Sequence, residues 1–384
     1  MSSINQTQLE PLTIGVELEF YVAHQKKGLE YAPGDNALPH KEGQAQAFAK
    51  IANEIQTATH EEVHNQHPSS SYWPPLTYEF YQKNWTVKDH EGVKKGRDQN
   101  YAWHDVEVSS PIMKLSEVAS TLQTVLGRLN DAFRLSADRS CAFQVHIGCG
   151  SAGFSPLNVK KMATILWFAE GRLDQLYAPH RLYSKWAVGF DECRIGQDEQ
   201  YMHSKPRSRR GHGASSDARA QYDYWLGSIL EYRAEAGIIT KERARRVRAL
   251  WEEDDLEKLC GEMLVPKHMG GRMGVYYSEY CAAYSFYNFV HSRHDRQPPK
   301  RTIEFRRPEG TLNAAVATAW CHVFAAIVDY ARAADREHYS GMVGKLSWTT
   351  AAYPTKEFLT DVGCRADHIQ ALWDKDNSAF NQPA

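Results

Sequence analysis

Apolar positions along the chain recur with two periods, and the switches between them divide it into strands and helices. Between residues 13 and 20, TIGVELEF, apolar side chains alternate with others, which is the period of a half-buried strand. The same alternation returns in DVEVSSP (105–111), CAFQVHIGC (141–149) and TIEFR (302–306). Shorter strands are expected at 77–81, 85–88, 103–108 and 283–291. Helical spacing, with Phe48, Ile51 and Ile55 on one side, predicts a helix over 43–55. Further helices are expected at 115–135, at 156–173 starting from Pro156, at 221–232, and at 241–259 with Thr240 as N-cap. The stretch 314–334 is the longest apolar helix, with Asn313 as its cap and Gly310 making the turn before it. Two shorter helices close the chain.

Strands spread from end to end, with helices between them, favour an α+β fold in one domain over 1–384. The helical block at about 200–265 reads as an insertion or lid, and 335–384 as C-terminal helices. The segment HNQHPSSSYWPP (64–75) is loop by composition.

Composition narrows the setting. The 384 residues are 42% hydrophobic and 24% charged, enough to bury a sizeable core. A formal net charge of −2 gives no bias toward nucleic acid or membrane, so neither is an expected partner. The opening MSSINQTQLEPLT lacks the basic start and apolar run of a signal peptide. No stretch is expected to reach the roughly 18–20 apolar residues of a membrane span. Seven cysteines without a CxxC spacing read as free thiols, so a cytosolic protein without a thiolate zinc site is expected. Cys141 and Cys149 read as packing residues on the apolar side of their strand.

The polar side of the strands changes the picture. Glu17 and Glu19, then Glu107, then Gln144 and His146, then Glu304 and Arg306, each lie opposite the apolar positions of their strand. For any one strand a solvated face is the ordinary explanation, and a lone His in a strand is ordinarily structural. Taken together they are not ordinary, because solvated faces favour Thr, Ser, Lys and mixed charges. Carboxylates brought together in one sheet repel unless cations lie between them. Several carboxylates with one imidazole and no thiolate suit Mg2+ or Mn2+ better than structural zinc.

GVELEF (15–20), the tryptophan and aspartate of WTVKDHEG (85–92), EVSSPI (107–112), FQVHIG (143–148) and TIEFRRPEGTL (302–312) follow one another in that order. Together they resemble the amidoligase branch of the glutamine synthetase and glutamate–cysteine ligase superfamily, over about residues 12–334. AAYSFYNF (282–289) is similar to the family's Tyr and Asn ahead of the Glu-Phe-Arg strand. The resemblance implies a curved antiparallel sheet, shared with glutamine synthetase and the guanidino kinases, with helices on its outer face. It implies an ATP-dependent ligase that joins a carboxylic acid to an amine or ammonia through an acyl phosphate, using two or three Mg2+ or Mn2+ ions. Carried over, Glu17, Glu19, Glu107, His146 and Glu304 become metal ligands, and Glu304, Arg306 and Asp89 catalytic residues. Gln144, Arg181, Arg306 and Asn288 become the groups that bind the nucleotide. Arg306, with its planar fork, would stabilise the transferring phosphoryl group. Relatives in the wider superfamily are often oligomeric, so a homo-oligomer is among the expectations.

The chain also departs from the family. Gln144-Val145-His146 stands where His-Val-His is usual, which exchanges an imidazole for a poorer cation ligand. His90, Glu91 and Gly92 follow Asp89 where a small residue and a serine are usual, and this puts the acid or amine pocket outside the family's pattern. Two other functions stay open: phosphotransfer without condensation, and a catalytically degenerate binding protein, for which Gln144 is the best support. The basic loop KPRSRRGHG (205–213) reads as solvated, with closure of Arg207, Arg209 and Arg210 over phosphates as the alternative. HMGGRMG (268–274) has no Walker lysine and reads as a tight turn or a backbone approach to a ligand. Glu309 reads as structural.

Overall fold

The computed structural model describes residues 9–66, 78–90, 98–150, 153–194, 216–265, 281–290 and 300–375. In chain order the first half contains β1 (Leu12–Gln25), α1 (Gln44–Thr59), β2 (Val63–Asn65), α2 (Tyr78–Lys83), β3 (Trp85–Lys88), β4 (Tyr101–Ser109), β5 (Met113–Lys114), α3 (Leu115–Ala132), β6 (Leu135–Ser136), β7 (Phe143–Cys149) and α4 (Pro156–Leu173). A helical block follows: α5 (Ser216–Tyr222), a π-turn (Asp223–Gly227), α6 (Ser228–Glu235), α7 (Lys241–Trp251) and α8 (Leu256–Glu262). The chain then returns to the sheet with β8 (Tyr284–Ser285) and β9 (Ile303–Phe305), and ends in α9 (Ala314–Ala333), α10 (Arg336–Leu346), α11 (Thr355–Asp361) and α12 (Ala366–Trp373).

The nine strands form one open sheet in the order β2-β3-β4-β1-β7-β9-β8, with β5 and β6 pairing to β1. Every pairing is antiparallel except β2 with β3. Leu12, Ile14, Val16, Leu18, Phe20 and Val22 of β1 all enter the main core, as do Val106 and Val108 of β4 and Val145 and Ile147 of β7. Helices α1, α3 and α9 cover that apolar face. Their own buried stripes, such as Phe48, Ile51 and Ile55 on α1 and Val118, Leu122, Val125 and Leu129 on α3, fill the interface. The opposite face of the sheet keeps the polar positions.

The helical block is not a separate unit. Leu226, Leu230, Val247, Trp251 and Leu259 belong to the same continuous core as the sheet. Helices α7 and α8 pack on α4, where the Trp251 indole donates to Thr164 Oγ1 at 2.9 Å and Lys160 pairs with Asp254 at 2.8 Å. The basic loop 205–213 and the glycine-rich 268–274 lie outside the described residues.

Several local expectations change. Residues 77–81 were expected as a strand, but Tyr78–Lys83 forms a short helix, with Glu79 and Lys83 paired one turn apart at 2.7 Å. His64 and Asn65, at the start of the segment expected as loop, instead belong to β2, which pairs parallel to β3. The strand expected at 283–291 shrinks to Tyr284–Ser285, after which the backbone turns in a 3-10 helix at Tyr287–Phe289. The helix expected at 241–259 breaks after Trp251, because Asp255 caps a new one by accepting from the Lys258 N–H at 2.9 Å. Cys149 does enter the main core, but Cys141 precedes β7 and packs in a small separate cluster with Tyr21. The turn after β9 runs against it: a Cβ on Gly310 would lie 2.5 Å from the Cys141 Cβ. Helix α9 is long and apolar enough by composition to cross a membrane, contrary to the sequence expectation, but most of it is buried inside the fold.

Candidate active site

The central position of β1 assembles the polar face. Its antiparallel register with β4 sets Glu19 opposite Glu107, and its register with β7 sets Glu17 opposite Gln144. One strand further out, β9 sets Glu304 opposite His146, while β3 sets Lys88 opposite Glu107. Directly paired residues share a face, so Glu17, Glu19, Glu107, Gln144, His146, Glu304 and Lys88 all project to the side away from α1, α3 and α9. This is the convergence that the sequence pattern required.

Within that face the groups separate into two clusters. Glu17, His146 and Glu304 have ligand atoms all within 4.8 Å of one another, as do Glu19, His90 and Glu107. In the first, His146 Nε2 lies 3.2 Å from Glu17 Oε1 and 4.0 Å from Glu304 Oε1. In the second, His90 Nε2 lies 3.3 Å from Glu19 Oε1 and 3.9 Å from Glu107 Oε2. Lys88 Nζ approaches the other Glu107 oxygen, Oε1, at 2.8 Å. Gln144 lies beside the second cluster, its Nε2 donating to Glu19 Oε1 at 2.7 Å. The Ala142 N–H donates to Glu19 Oε2 at 2.7 Å. Arg306 pairs with Glu304, and its Nε donates to the Trp186 carbonyl at 3.4 Å.

The electrostatics follow from this crowding. Burial, and then the charge of Glu17, push Glu107 up to about 8, against the pull of Lys88. Burial also acts upward on Glu17. The hydrogen bond and charge of His146, with Lys88 and Lys300, outweigh it and hold Glu17 well below the usual carboxylate range. Burial opposes the charge of Arg306, but Glu304 and Glu17 raise its pKa above the ordinary arginine value. Carboxylates on this face therefore crowd one another closely enough that the charge of Glu17 helps to raise Glu107.

The remaining sequence candidates lie outside the two ligand clusters, although Arg181 is close enough to feel the charge of Glu19. Asp89 sits between Lys88 and His90 but belongs to neither ligand cluster. Arg181 is buried, with its Nε donating to the carbonyl of Arg307 at 3.1 Å and Nη2 to that of Arg306 at 2.7 Å. It thereby fixes the backbone that carries Arg306. Asn288 donates to Thr302 Oγ1 at 3.1 Å and ties its turn to the start of β9. Glu309 is buried, accepts from the Ala178 N–H at 3.1 Å and pairs with Lys375. The sequence reading did not assign Lys88 and His90 to the site. Their spacing of two, the same as that of Glu17 and Glu19, carries the signal past the end of β3.

An open, largely antiparallel sheet with two carboxylate–imidazole clusters on one face defines an α+β protein whose polar face could hold cations. A family profile described as "Putative amidoligase enzyme" matches residues 10–219, just over half of the chain, so the chain belongs to that amidoligase family. No curated protein matches it. The matched segment includes Glu17, Glu19, His90, Glu107, Gln144 and His146, while Glu304 and Arg306 come from beyond it. A ligase-type enzyme is what the family indicates.

Proposed function

We propose that the chain is an ATP- and divalent-cation-dependent ligase that joins a small carboxylic acid to an amine or ammonia. The observation that carries this reading is the convergence of Glu17, Glu19, Glu107 and Glu304 with two imidazoles on one sheet face, in a chain of the amidoligase family. The residues suit hard or borderline cations: oxygen and imidazole donors, no thiolate in either cluster, and a buried Gln144 Oε1 that has no hydrogen-bond donor. Glu17, His146 and Glu304 would hold one ion, and Glu19 with Glu107 another. Such ions, when bound, withdraw charge from phosphate oxygens.

The reaction then runs in two displacements. A carboxylate oxygen of the acid attacks the γ-phosphorus of ATP, the bond to the bridging oxygen breaks, and ADP leaves an acyl phosphate. The amine nitrogen attacks the acyl carbon, the carbon–oxygen bond to phosphate breaks, and the nitrogen releases a proton as the amide forms. Arg306, held by Glu304 and by the Trp186 carbonyl, presents a fixed guanidinium where phosphoryl charge develops. Arg181 positions it by clamping the carbonyls of residues 306 and 307. The glutamine synthetase-like curvature of the sheet belongs to the same proposal.

The test is release of ADP and phosphate by purified protein with Mg2+ or Mn2+ across a panel of acids and amines. Turnover that requires both an acid and an amine supports the ligase. A stable phosphorylated product formed without condensation selects phosphotransfer instead. A folded protein that binds ATP but consumes none over the whole panel would remove the catalytic reading.

A further inference from the structure

His90 falls where the chain leaves its family's pattern, and the fold gives it a defined place. Its backbone N–H donates to Asp105 Oδ2 at 3.1 Å, which pins the segment that leaves β3 against β4. The ring then reaches over the sheet so that Nε2 lies 3.3 Å from Glu19 Oε1 and 3.9 Å from Glu107 Oε2. Both carboxylates are nearly inaccessible, Glu19 being 4% and Glu107 5% exposed. Each splits its oxygens between partners: Glu107 offers Oε1 to Lys88 and Oε2 toward His90, and Glu19 offers Oε2 to the Ala142 N–H and Oε1 to Gln144 and His90. An independent observation points to a missing partner at this place. The Gln144 side chain, 3% exposed, uses its Nε2 on Glu19 and leaves its buried Oε1 without a donor among the described residues. A second cation among these groups would give that oxygen a partner that protein hydrogen bonds do not provide.

We propose that His90 is a direct ligand of a divalent cation held with Glu19 and Glu107, so that each of the two cation sites of this face contains one imidazole. The inference rests on the reading of the face as a cation site, and it adds a chemical consequence. Imidazole ligands favour Mn2+ over Mg2+, because Mg2+ prefers oxygen donors and surrenders its water reluctantly. On this reading the second site of the face selects Mn2+ over Mg2+.

The experiment is a Mn2+ titration followed by electron paramagnetic resonance, with spin-echo modulation from 14N nuclei to count the imidazoles bound to Mn2+. The wild-type protein is expected to bind Mn2+ with two imidazole couplings. His90→Ala and the size-conserving His90→Gln should each lose one coupling and weaken the second site at least about tenfold, the lower end of what even an outer-shell partner contributes. His146→Ala should lose the other coupling. The His90 ring is partly exposed, so neither variant opens a core cavity, and thermal melting checks that each folds. Unchanged couplings and Mn2+ affinity in both His90 variants would overturn the assignment and leave the cation reading standing, with His90 acting only as a counter-ion to Glu19. A wild-type protein that binds no Mn2+ would overturn both.

Discussion

Arg306 and Arg307 are neighbours in sequence but serve opposite faces of the sheet. Arg307 is buried on the helix side, where it bonds Asp174 at 2.6 Å and Glu170 at 3.2 Å and donates to the Ala187 carbonyl. There one guanidinium serves two carboxylates and a carbonyl, and the ring of Tyr177 lies beside it. On the other face Arg306 and Lys88 stand among Glu17, Glu19, Glu107 and Glu304. A buried acid that is paired within the fold belongs to the structure. Acids on which the strongest neighbouring charge is another acid, as that of Glu17 is on Glu107, mark a place that a group from outside can complete. The comparison separates the two clusters by the charge that acts most strongly after burial: that of Arg307 pulls Glu170 down, whereas that of Glu17 pushes Glu107 up.

The largest expected effect is on the site face. Glu304→Ala is expected to lower ATP-dependent turnover by about a thousandfold or more, the scale of removing a principal electrostatic group. Its melting temperature should change little, because relief of repulsion with Glu17 offsets the loss of the Arg306 ion pair. Turnover near that of the wild type would take Glu304 out of the site. On the helix face the pattern should invert: Arg307→Met leaves the half-buried Glu170 and Asp174 without this cation and should cost about 1–3 kcal/mol of stability in urea unfolding. Turnover per folded molecule should fall far less than in Glu304→Ala. If Arg307→Met instead lost activity at full stability, the division between faces would fail.

Smaller effects sharpen the contrast. Arg306→Lys keeps the charge but loses the planar fork, so turnover should drop by about ten- to a hundredfold with little change in melting. The pH dependence is the finest test. Glu107 is raised from an ordinary value of 4.5 to about 8 and Glu170 to about 7, each first by burial. An acid raised on folding contributes stability that is full below its unfolded value and is lost as pH rises toward its folded value. Chelator-treated protein should therefore lose a few degrees of melting temperature between about pH 5 and 8. Adding Mn2+ should recover the part due to Glu107 and not the part due to Glu170. Equal recovery at pH 5 and pH 8 would show that cations do not meet Glu107.

Much of the site was legible because a strand has a period of two. Glu17 with Glu19, Glu107, His146 and Glu304 could each be assigned to a polar face before any pairing was known. Arg181 and Asn288 were less legible: their side chains lock the backbone around β9, and whether a polar side chain meets a ligand or a neighbouring carbonyl is a matter of tertiary distance. The short strands β2, β5 and β6 and the break between α7 and α8 were missed because local capping and edge pairing override propensity over a few residues.

The sequence alone determined which side of each strand is apolar, where the long helices run and which carboxylates lie on the polar side of their strands. Those properties depend on spacing along the chain, and a one-residue shift would turn every side chain to the other face. Only the tertiary structure decided which groups meet. Strand order and register placed Glu304, from the end of the chain, beside His146 and Glu17. The Asp105 bond to the backbone of His90 brought that ring to Glu19 and Glu107. Contacts between residues distant in sequence are set by pairing and packing, and no periodicity encodes them.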